Sequence, residues 1–339
     1  MKSLLAYLLS LRGLVMAALV AGACFLSHRY SAHHTGDTVF TTLYMHLVPA
    51  VLVQPEAHAP AAEHAHADGT THAHAEPAHA ATPLLEIPLP AAMAAFDYRG
   101  AGAPAPPKTA LFNLQIFQVL AVLLILVAFA GVPRYLRTGK GDPLTRLFAG
   151  FADWIRNEMV YPTMGKELGR KFLPYFLFVF FFVLFMNLVG LVPYSATATA
   201  SIFVTGALAL TTFLAMIGCG MAVQGPVAYW KHLVPHVPLP LWPLMFVVEL
   251  IGLLVKPVAL TIRLFANMSG GHMVVLSFMG LIFFMGELWG PAGAWGASPL
   301  GLGFAVFIMI IESFVAMVQA YIFTQLSILF VNASVHPEH

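Results

Sequence analysis

Residues 256–272 read KPVALTIRLFANMSGGH and place Arg263 inside an otherwise apolar run from Leu241 to Phe284. The run is longer than the ~20 residues that cross a bilayer as a helix, so the guanidinium is expected at membrane depth. An arginine near the bilayer centre costs roughly 2.5 to 3.5 kcal/mol on insertion scales. Because ionisable groups at that depth line ion or substrate pathways, this stretch predicts a membrane protein that moves an ion or a small substrate.

The rest of the chain has the composition of a helical membrane protein. Its 339 residues are 59% hydrophobic and 9% charged, whereas soluble domains carry about 25% charged residues. The apolar runs predict an all-α polytopic membrane protein with about five transmembrane helices, of which the last two are long and tilted. These spans are expected at 111–131, 171–192, 200–223, 241–287 and 299–331. A formal net charge of +1 without a basic block gives no support for nucleic-acid binding.

Residues 1–27 allow two interpretations. A short basic start with Lys2 and Arg12, an apolar stretch and the small residues 21–23 are typical of a cleaved secretory signal peptide. The competing interpretation is a retained N-terminal membrane helix, for which the apolar stretch is short. The pattern favours cleavage and leaves the retained helix open.

A histidine-rich segment follows at 28–108. It holds ten of the fifteen histidines, namely His28, His33, His34, His46, His58, His64, His66, His72, His74 and His79. Imidazoles are good ligands for zinc or copper. The cluster of His64, His66, His72 and His74, however, lacks cysteine neighbours and an obvious helical spacing, and a segment of this composition cannot bury a core. We therefore expect a disordered tail rather than a metal site, and no cofactor is assigned to the chain.

Basic residues set the expected orientation in the membrane. The span at 111–131 is closely followed by four of them, Arg134, Arg137, Lys140 and Arg146. Such clusters lie on the cytoplasmic side, so the histidine-rich tail is expected outside and the tail 334–339 in the cytoplasm. Between the two tails, 109–333 forms the helical transmembrane domain. Within it, 144–170 mixes charged and apolar side chains, which favours an amphipathic helix on the cytoplasmic surface over an ordinary connecting loop.

Polar side chains recur along one face of the long apolar run. Glu249, Lys256 and Arg263 are seven residues apart, which places them on nearly one face of an ideal helix. Asn267 joins this face one turn after Arg263, whereas His272 falls on the opposite face. The alternative to a functional arginine is that Arg263 snorkels to a membrane interface or forms a static ion pair with Glu249 or Glu312.

The last predicted span carries a second set of polar residues. Glu312 and Gln319 are again seven residues apart and share a face. Asn187 is a lone amide in an earlier span and is typical of an interhelical hydrogen bond. Glutamate and histidine can pass protons, whereas arginine keeps its charge. Together with His272, these residues outline a proton path that contains one fixed positive charge.

The arginine motif also resembles a known family. Three parts of the chain are similar to subunit a of the F-type ATP synthase: KP, RLFANM and GH within 256–272, MNL and LVP within 186–193, and QAYIF at 319–323. The resemblance covers about residues 110–332. It implies a non-catalytic subunit, without an ATP-hydrolysing site, that conducts protons through two half-channels. It further implies that Arg263 is essential and faces a rotating ring of c subunits, around which the long helix wraps.

The resemblance assigns further residues and partners. Polar positions of the family are matched by Glu249, Asn267, Gln319 and Asn187. His272 and Glu312 stand where familiar bacterial members have glutamate and histidine, so the relay pair is exchanged. Gly190 stands where some bacterial members have an aspartate. The implied partners are the c-subunit ring, the b-subunit peripheral stalk, the rest of the ATP synthase and the lipid bilayer, and the implied location is the bacterial inner membrane.

A standalone secondary transporter or ion channel is the rival interpretation. Many such proteins are built from an internal repeat with paired broken helices. The sequence shows no repeat of this kind, so the stator-subunit interpretation is preferred.

Overall fold

The computed structural model describes residues 11–31, 49–53, 83–90, 106–192, 195–232 and 238–335. Most of this part is helical, in eight α-helices: α1 Leu11–Tyr30, α2 Asn113–Phe129, α3 Val132–Thr138, α4 Pro143–Trp154, α5 Tyr161–Gly190, α6 Ile202–Gln224, α7 Pro226–His232 and α8 Trp242–Val335. A π-helical turn, Ile155–Val160, joins α4 to α5, and short 3-10 turns lie at Ala198–Ala200 and Leu239–Leu241. Five helical stretches of the described chain are long and apolar enough to cross a membrane: α1, α2 with α3, α4 with α5, α6 and α8. The predicted all-α polytopic class is confirmed.

Helix α8 is a hairpin of two long helical arms. Its backbone leaves helical geometry only at Trp289 (φ −124°, ψ 16°) and Gly290 (φ 65°, ψ −164°). The positive φ at Gly290 is a conformation that glycine adopts without a Cβ penalty. We call 242–288 the first arm and 291–335 the second arm. The first arm is about 70 Å long at 1.5 Å per residue, more than twice the thickness of a bilayer core.

Aromatic contacts show that the two arms lie side by side and antiparallel. The rings of Phe278 and Phe304 are stacked with centroids 5.0 Å apart. Further along, Lys256 Nζ lies 5.5 Å from the centroid of Phe330. Pro257 and Gly270-Gly271 keep helical dihedrals, and the reversal falls between the spans expected at 241–287 and 299–331. The two long helices expected from the sequence are these arms.

A phenylalanine-rich core holds the hairpin against the other helices. Helix α8 packs along α6 and α5, and α2 packs between α5 and α1. Phe129 of α2, Phe148 of α4 and Phe181 of α5 meet with ring centroids 4.8 to 5.7 Å apart. Since Phe176, Phe180 and Phe181 are almost fully buried, α5 forms the centre of the bundle.

The segment at 144–170 has two faces. Its buried side chains include Phe148, Ile155 and Met159, whereas Asp153 and Arg156 form an exposed ion pair at 3.0 Å. Within this segment, α5 kinks at Gly165, which has a positive φ of 74°. Its position on the cytoplasmic membrane surface stays a prediction.

Helix α1 is held at both ends. Arg12 Nη1 donates a hydrogen bond to Thr145 Oγ1 at 2.7 Å, and at the other end Val53 N donates to Tyr30 O at 2.8 Å. Leu52 N in turn donates a hydrogen bond to Leu111 O, just before α2. Two three-residue strands, β1 Glu86–Pro88 and β2 Lys108–Ala110, pair in antiparallel orientation. Parts of the segment at 28–108 are therefore extended. Nine of its ten histidines, all except His28, lie outside the described residues.

Candidate functional site

The hairpin brings His272 and Glu312 together. His272 lies on the first arm and Glu312 on the second, with His272 Nε2 3.6 Å from Glu312 Oε1. Glu312 is 4% exposed. The backbone next to His272 makes room for the carboxyl, because a Cβ on Gly271 would lie 2.5 Å from Glu312 Oε1. Two groups that gain and lose protons therefore share one buried site.

The carboxyl of Glu312 has unused hydrogen-bonding capacity. Neither of its oxygens has a hydrogen-bond partner in the described part of the chain, and 3.6 Å to the imidazole is beyond a direct hydrogen bond. Buried polar groups are otherwise almost always paired. Such an orphaned carboxyl is suited to exchanging a proton rather than to stabilising the fold.

Thr197 is a third member of the site that sequence reasoning missed. Its Oγ1 lies 2.7 Å from His272 Nε2 and also donates to the carbonyl of Gly190, at 3.1 Å. Next to it, Ser269 Oγ donates to Ala200 O at 3.3 Å, so the connection between α5 and α6 lies against the first arm. The signal in the sequence was two threonines, Thr197 and Thr199, in the short polar turn between two apolar spans.

Gln319 lies two turns after Glu312 on the second arm, and Asn187 of α5 contacts the same arm. Both side chains are buried. Asn187 Nδ2 donates to Ala316 O at 3.4 Å, and Ala316 lies between Glu312 and Gln319 in sequence. The expected interhelical hydrogen bond of Asn187 is therefore present, next to the pair of ionisable groups.

Arg263 and Asn267 lie on another side of the first arm. Both are exposed, whereas Leu260, Leu264 and Met268 of the same turns are buried. Among the described residues Arg263 forms no ion pair, and Glu312 contacts His272 instead. The static pairing considered from the sequence is thus not formed in this structure.

The other two members of the predicted polar face lie in a more enclosed setting. Glu249 and Lys256 are half-buried, and Lys256 points to the ring of Phe330 on the second arm. The spacing of seven residues puts these side chains on one face of the first arm. On that face, Arg263 and Asn267 are exposed, whereas Glu249 and Lys256 are half-buried. In the described part of the chain, no group of three or more histidine, cysteine, aspartate or glutamate side chains is placed to hold a metal ion.

Residues 115–332 match the protein family described as ATP synthase A chain. The chain belongs to this family. The matched region contains every candidate side chain named above, and it leaves out α1 and the histidine-rich segment. Membership implies a multi-pass membrane protein that works in a complex with other ATP synthase subunits.

Individual relatives agree with this assignment. The chain is 49% identical over 183 residues to ATP synthase subunit a of Anaeromyxobacter dehalogenans strain 2CP-1, an alignment that covers 53% of this chain and 46% of that protein. It is 38% identical over 282 residues to ATP synthase subunit a of Myxococcus xanthus, covering 75% of this chain and 90% of that protein. The subunit of Chloroherpeton thalassium is 37% identical over 256 residues, which is 72% of this chain and 74% of that protein.

Proposed function

We propose that this chain is the proton-conducting stator subunit of an F-type ATP synthase. The observation that carries the proposal is Arg263, a permanent charge on the open side of a helical arm, with no counter-charge among the described residues of its own chain. On the same hairpin, the half-buried His272 lies beside the buried Glu312. An exposed permanent charge at Arg263, together with a proton-exchanging pair inside the bundle, is suited to a subunit that passes protons to another protein.

In the proposed path, protons enter from the outer side past Gln319, Glu312 and His272. From there they neutralise a carboxylate on a c subunit, and after nearly a full rotation of the ring they leave to the cytoplasm near Glu249. Arg263 prevents a direct leak because it keeps its proton. It also attracts each arriving deprotonated carboxylate, since two opposite charges at 4 Å attract by about 4 kcal/mol at an effective dielectric of 20.

The surface around Arg263 suits a closely packed partner helix. Ala266, Asn267 and Gly270 are exposed next to it. Small residues let helix backbones approach each other closely in a membrane, so a helix of the c-subunit ring could reach the guanidinium without displacing bulky side chains. Asn267 would then supply a polar neighbour for the carboxylate.

Orientation and further partners follow from the same proposal. The basic residues between α2 and α4, which include Arg134, Arg137 and Lys140, favour a cytoplasmic position for that connection. The histidine-rich segment then faces the outer side and the C-terminus the cytoplasm of a bacterial inner membrane. The b-subunit peripheral stalk would hold the chain still against the turning ring.

Replacing Arg263 with alanine tests the proposal. We expect normal membrane insertion and association with the ring, together with loss of coupled ATP synthesis in membrane vesicles. Ile262→Ala is the matched control, because Ile262 is the neighbouring exposed side chain and carries no charge. Normal proton-driven synthesis in the Arg263→Ala complex would overturn the proposal.

The family match does not favour a standalone transporter or channel, and one further measurement separates the two. A self-contained transporter reconstituted alone would move protons by itself. The proposed stator subunit should co-purify with the c ring and support coupled transport only in that complex.

A further inference from the structure

We propose that Thr197 is a positioning residue that sets which nitrogen of His272 carries the proton. We further propose that Gly190, which has no side chain, leaves the space that Thr197 needs to reach His272. This inference rests on the proposed function and assigns a role to two residues outside the proton path described above. The two residues lie in the last turn of α5 and in the connection to α6, opposite the first arm of α8.

The donor and acceptor roles at Thr197 follow from elementary hydrogen bonding. A carbonyl can only accept, so the single hydroxyl hydrogen of Thr197 is donated to Gly190 O, 3.1 Å away. The hydroxyl oxygen must then accept from His272 Nε2, which lies 2.7 Å from it. In this arrangement the neutral imidazole carries its proton on Nε2.

This tautomer has a consequence for proton transfer. With Nε2 protonated, Nδ1 is the nitrogen that accepts a proton moving outward from the c ring during ATP-driven pumping, and the ring becomes an imidazolium. The proton on Nε2 can then pass to Glu312 Oε1 when the carboxyl moves from 3.6 Å to within hydrogen-bond distance of that nitrogen, and proton-driven synthesis runs these steps in reverse. The transfer leaves a neutral ring protonated on Nδ1, and the Thr197 hydroxyl can turn to donate to the bare Nε2. One hydroxyl thus serves the ring before and after the transfer.

Gly190 makes the approach of Thr197 sterically feasible. A Cβ on Gly190 would lie 2.8 Å from both Oγ1 and Cγ2 of Thr197, which is closer than real Cβ contacts come. Any side chain at this position would push the hydroxyl away from His272. The absence of a side chain at Gly190 is therefore required for the hydrogen bond between Thr197 and His272.

Two neighbouring side chains provide matched controls. Ser195 Oγ donates to Val189 O at 2.7 Å, so it also satisfies a carbonyl at the end of α5, but no hydrogen bond joins it to His272. Thr199 is fully buried in the same connection, and its hydroxyl has no partner among the described residues. Ser195→Ala and Thr199→Val therefore report the structural cost of such changes without disturbing the imidazole.

The test measures ATP synthesis and ATP-driven proton pumping per assembled complex in inverted membrane vesicles. We expect Thr197→Val to lower both rates about three- to tenfold, the range for loss of one hydrogen bond, and Gly190→Ala to do the same with the hydroxyl still present. Thr197→Ser, Ser195→Ala and Thr199→Val should stay near the parent rate. Unchanged rates in Thr197→Val, or equal losses in Thr197→Ser or Ser195→Ala, would overturn the inference.

A spectroscopic measurement separates positioning from a general structural effect. In complexes labelled with ¹⁵N-histidine, the signal lost in His272→Gln identifies the ring. It should show Nε2 protonated in the parent and a mixture of tautomers in Thr197→Val. An unchanged tautomer in Thr197→Val would refute the inference even if activity falls. If the tautomer is unchanged in Thr197→Val while Arg263→Ala still loses coupled synthesis, the role of Thr197 is refuted and the proposed function is not. The two proposals are therefore tested independently.

Discussion

The carboxyl of Glu312 occupies the space that a side chain at Gly271 would fill, since a Cβ there would lie 2.5 Å from Oε1 and 2.6 Å from Cδ. The two arms of the hairpin can bring an acid beside His272 only because the preceding residue has no side chain.

Gly271→Ala should displace the carboxyl of Glu312 and impair coupling. Although alanine favours helix over glycine by about 1 kcal/mol, the added methyl group cannot fit without moving Glu312. We expect ATP synthesis in vesicles to fall severalfold with little change in the amount of assembled complex. Gly218→Ala is the control, because a Cβ on Gly218 meets no atom within 4 Å. Equal activity of the two variants would contradict the prediction.

Glu312→Gln should abolish coupling without harming assembly. Glutamine keeps the size of the side chain but cannot release a proton, and loss of a proton-transfer group typically costs about 100-fold or more in rate. The orphaned carboxyl contributes no hydrogen bond to the described fold, so its removal should leave thermal stability of the complex unchanged or raised. Glu158→Gln, an exposed acid next to α4, is the control. Substantial synthesis with Gln at 312 would place the proton path elsewhere.

Gly290→Ala should weaken the reversal of the hairpin. The backbone there has φ 65° and ψ −164°, a region reserved for glycine in which other residues cost about 1 to 3 kcal/mol. We expect faster thermal inactivation and a lower yield of assembled complex. Gly296 lies in the second arm with open space around it, so Gly296→Ala should show neither effect. If both variants inactivate alike, the strain at the reversal is not what limits stability.

Helix α1 should remain part of the mature protein. Its hydrogen bond from Arg12 to Thr145 and its packing on α2 would both be lost if a signal peptidase removed residues 1–27. We expect the mass of the purified subunit to include α1 and Arg12→Gln to loosen the N-terminus, seen as easier proteolysis near residue 30. A mature chain that begins shortly after the small residues 21–23 would support cleavage instead.

Local patterns in the sequence predicted most of the helices. Runs of apolar residues about 20 long have few alternatives in a bilayer, and the spans around Phe181 or Ala209 therefore lie where composition placed them. The spacing of Arg263 and Asn267 also put them correctly on one face of a single long helix. These features depend only on residues close together in the chain.

Features that depend on distant pairing were less predictable. The reversal at Trp289 and Gly290 falls between the spans expected at 241–287 and 299–331, but local patterns did not predict the side-by-side pairing of the two arms through contacts such as Phe278 with Phe304. Nothing near Thr197 in the sequence indicates its role, because its partner His272 lies 75 residues further along the chain. The strands β1 and β2 have three residues each, too few to carry an alternating pattern.

The hairpin of α8 also constrains how the chain is made. His272 and Lys256 leave the ribosome before Glu312 and Phe330, the side chains that contact them in the second arm. Until the later arm is synthesised, the first would have to rest among lipids with its polar groups uncovered, which is costly in hydrocarbon. Biogenesis is therefore expected to deliver both arms to the bilayer as one unit, with the insertion machinery shielding the first until the second arrives.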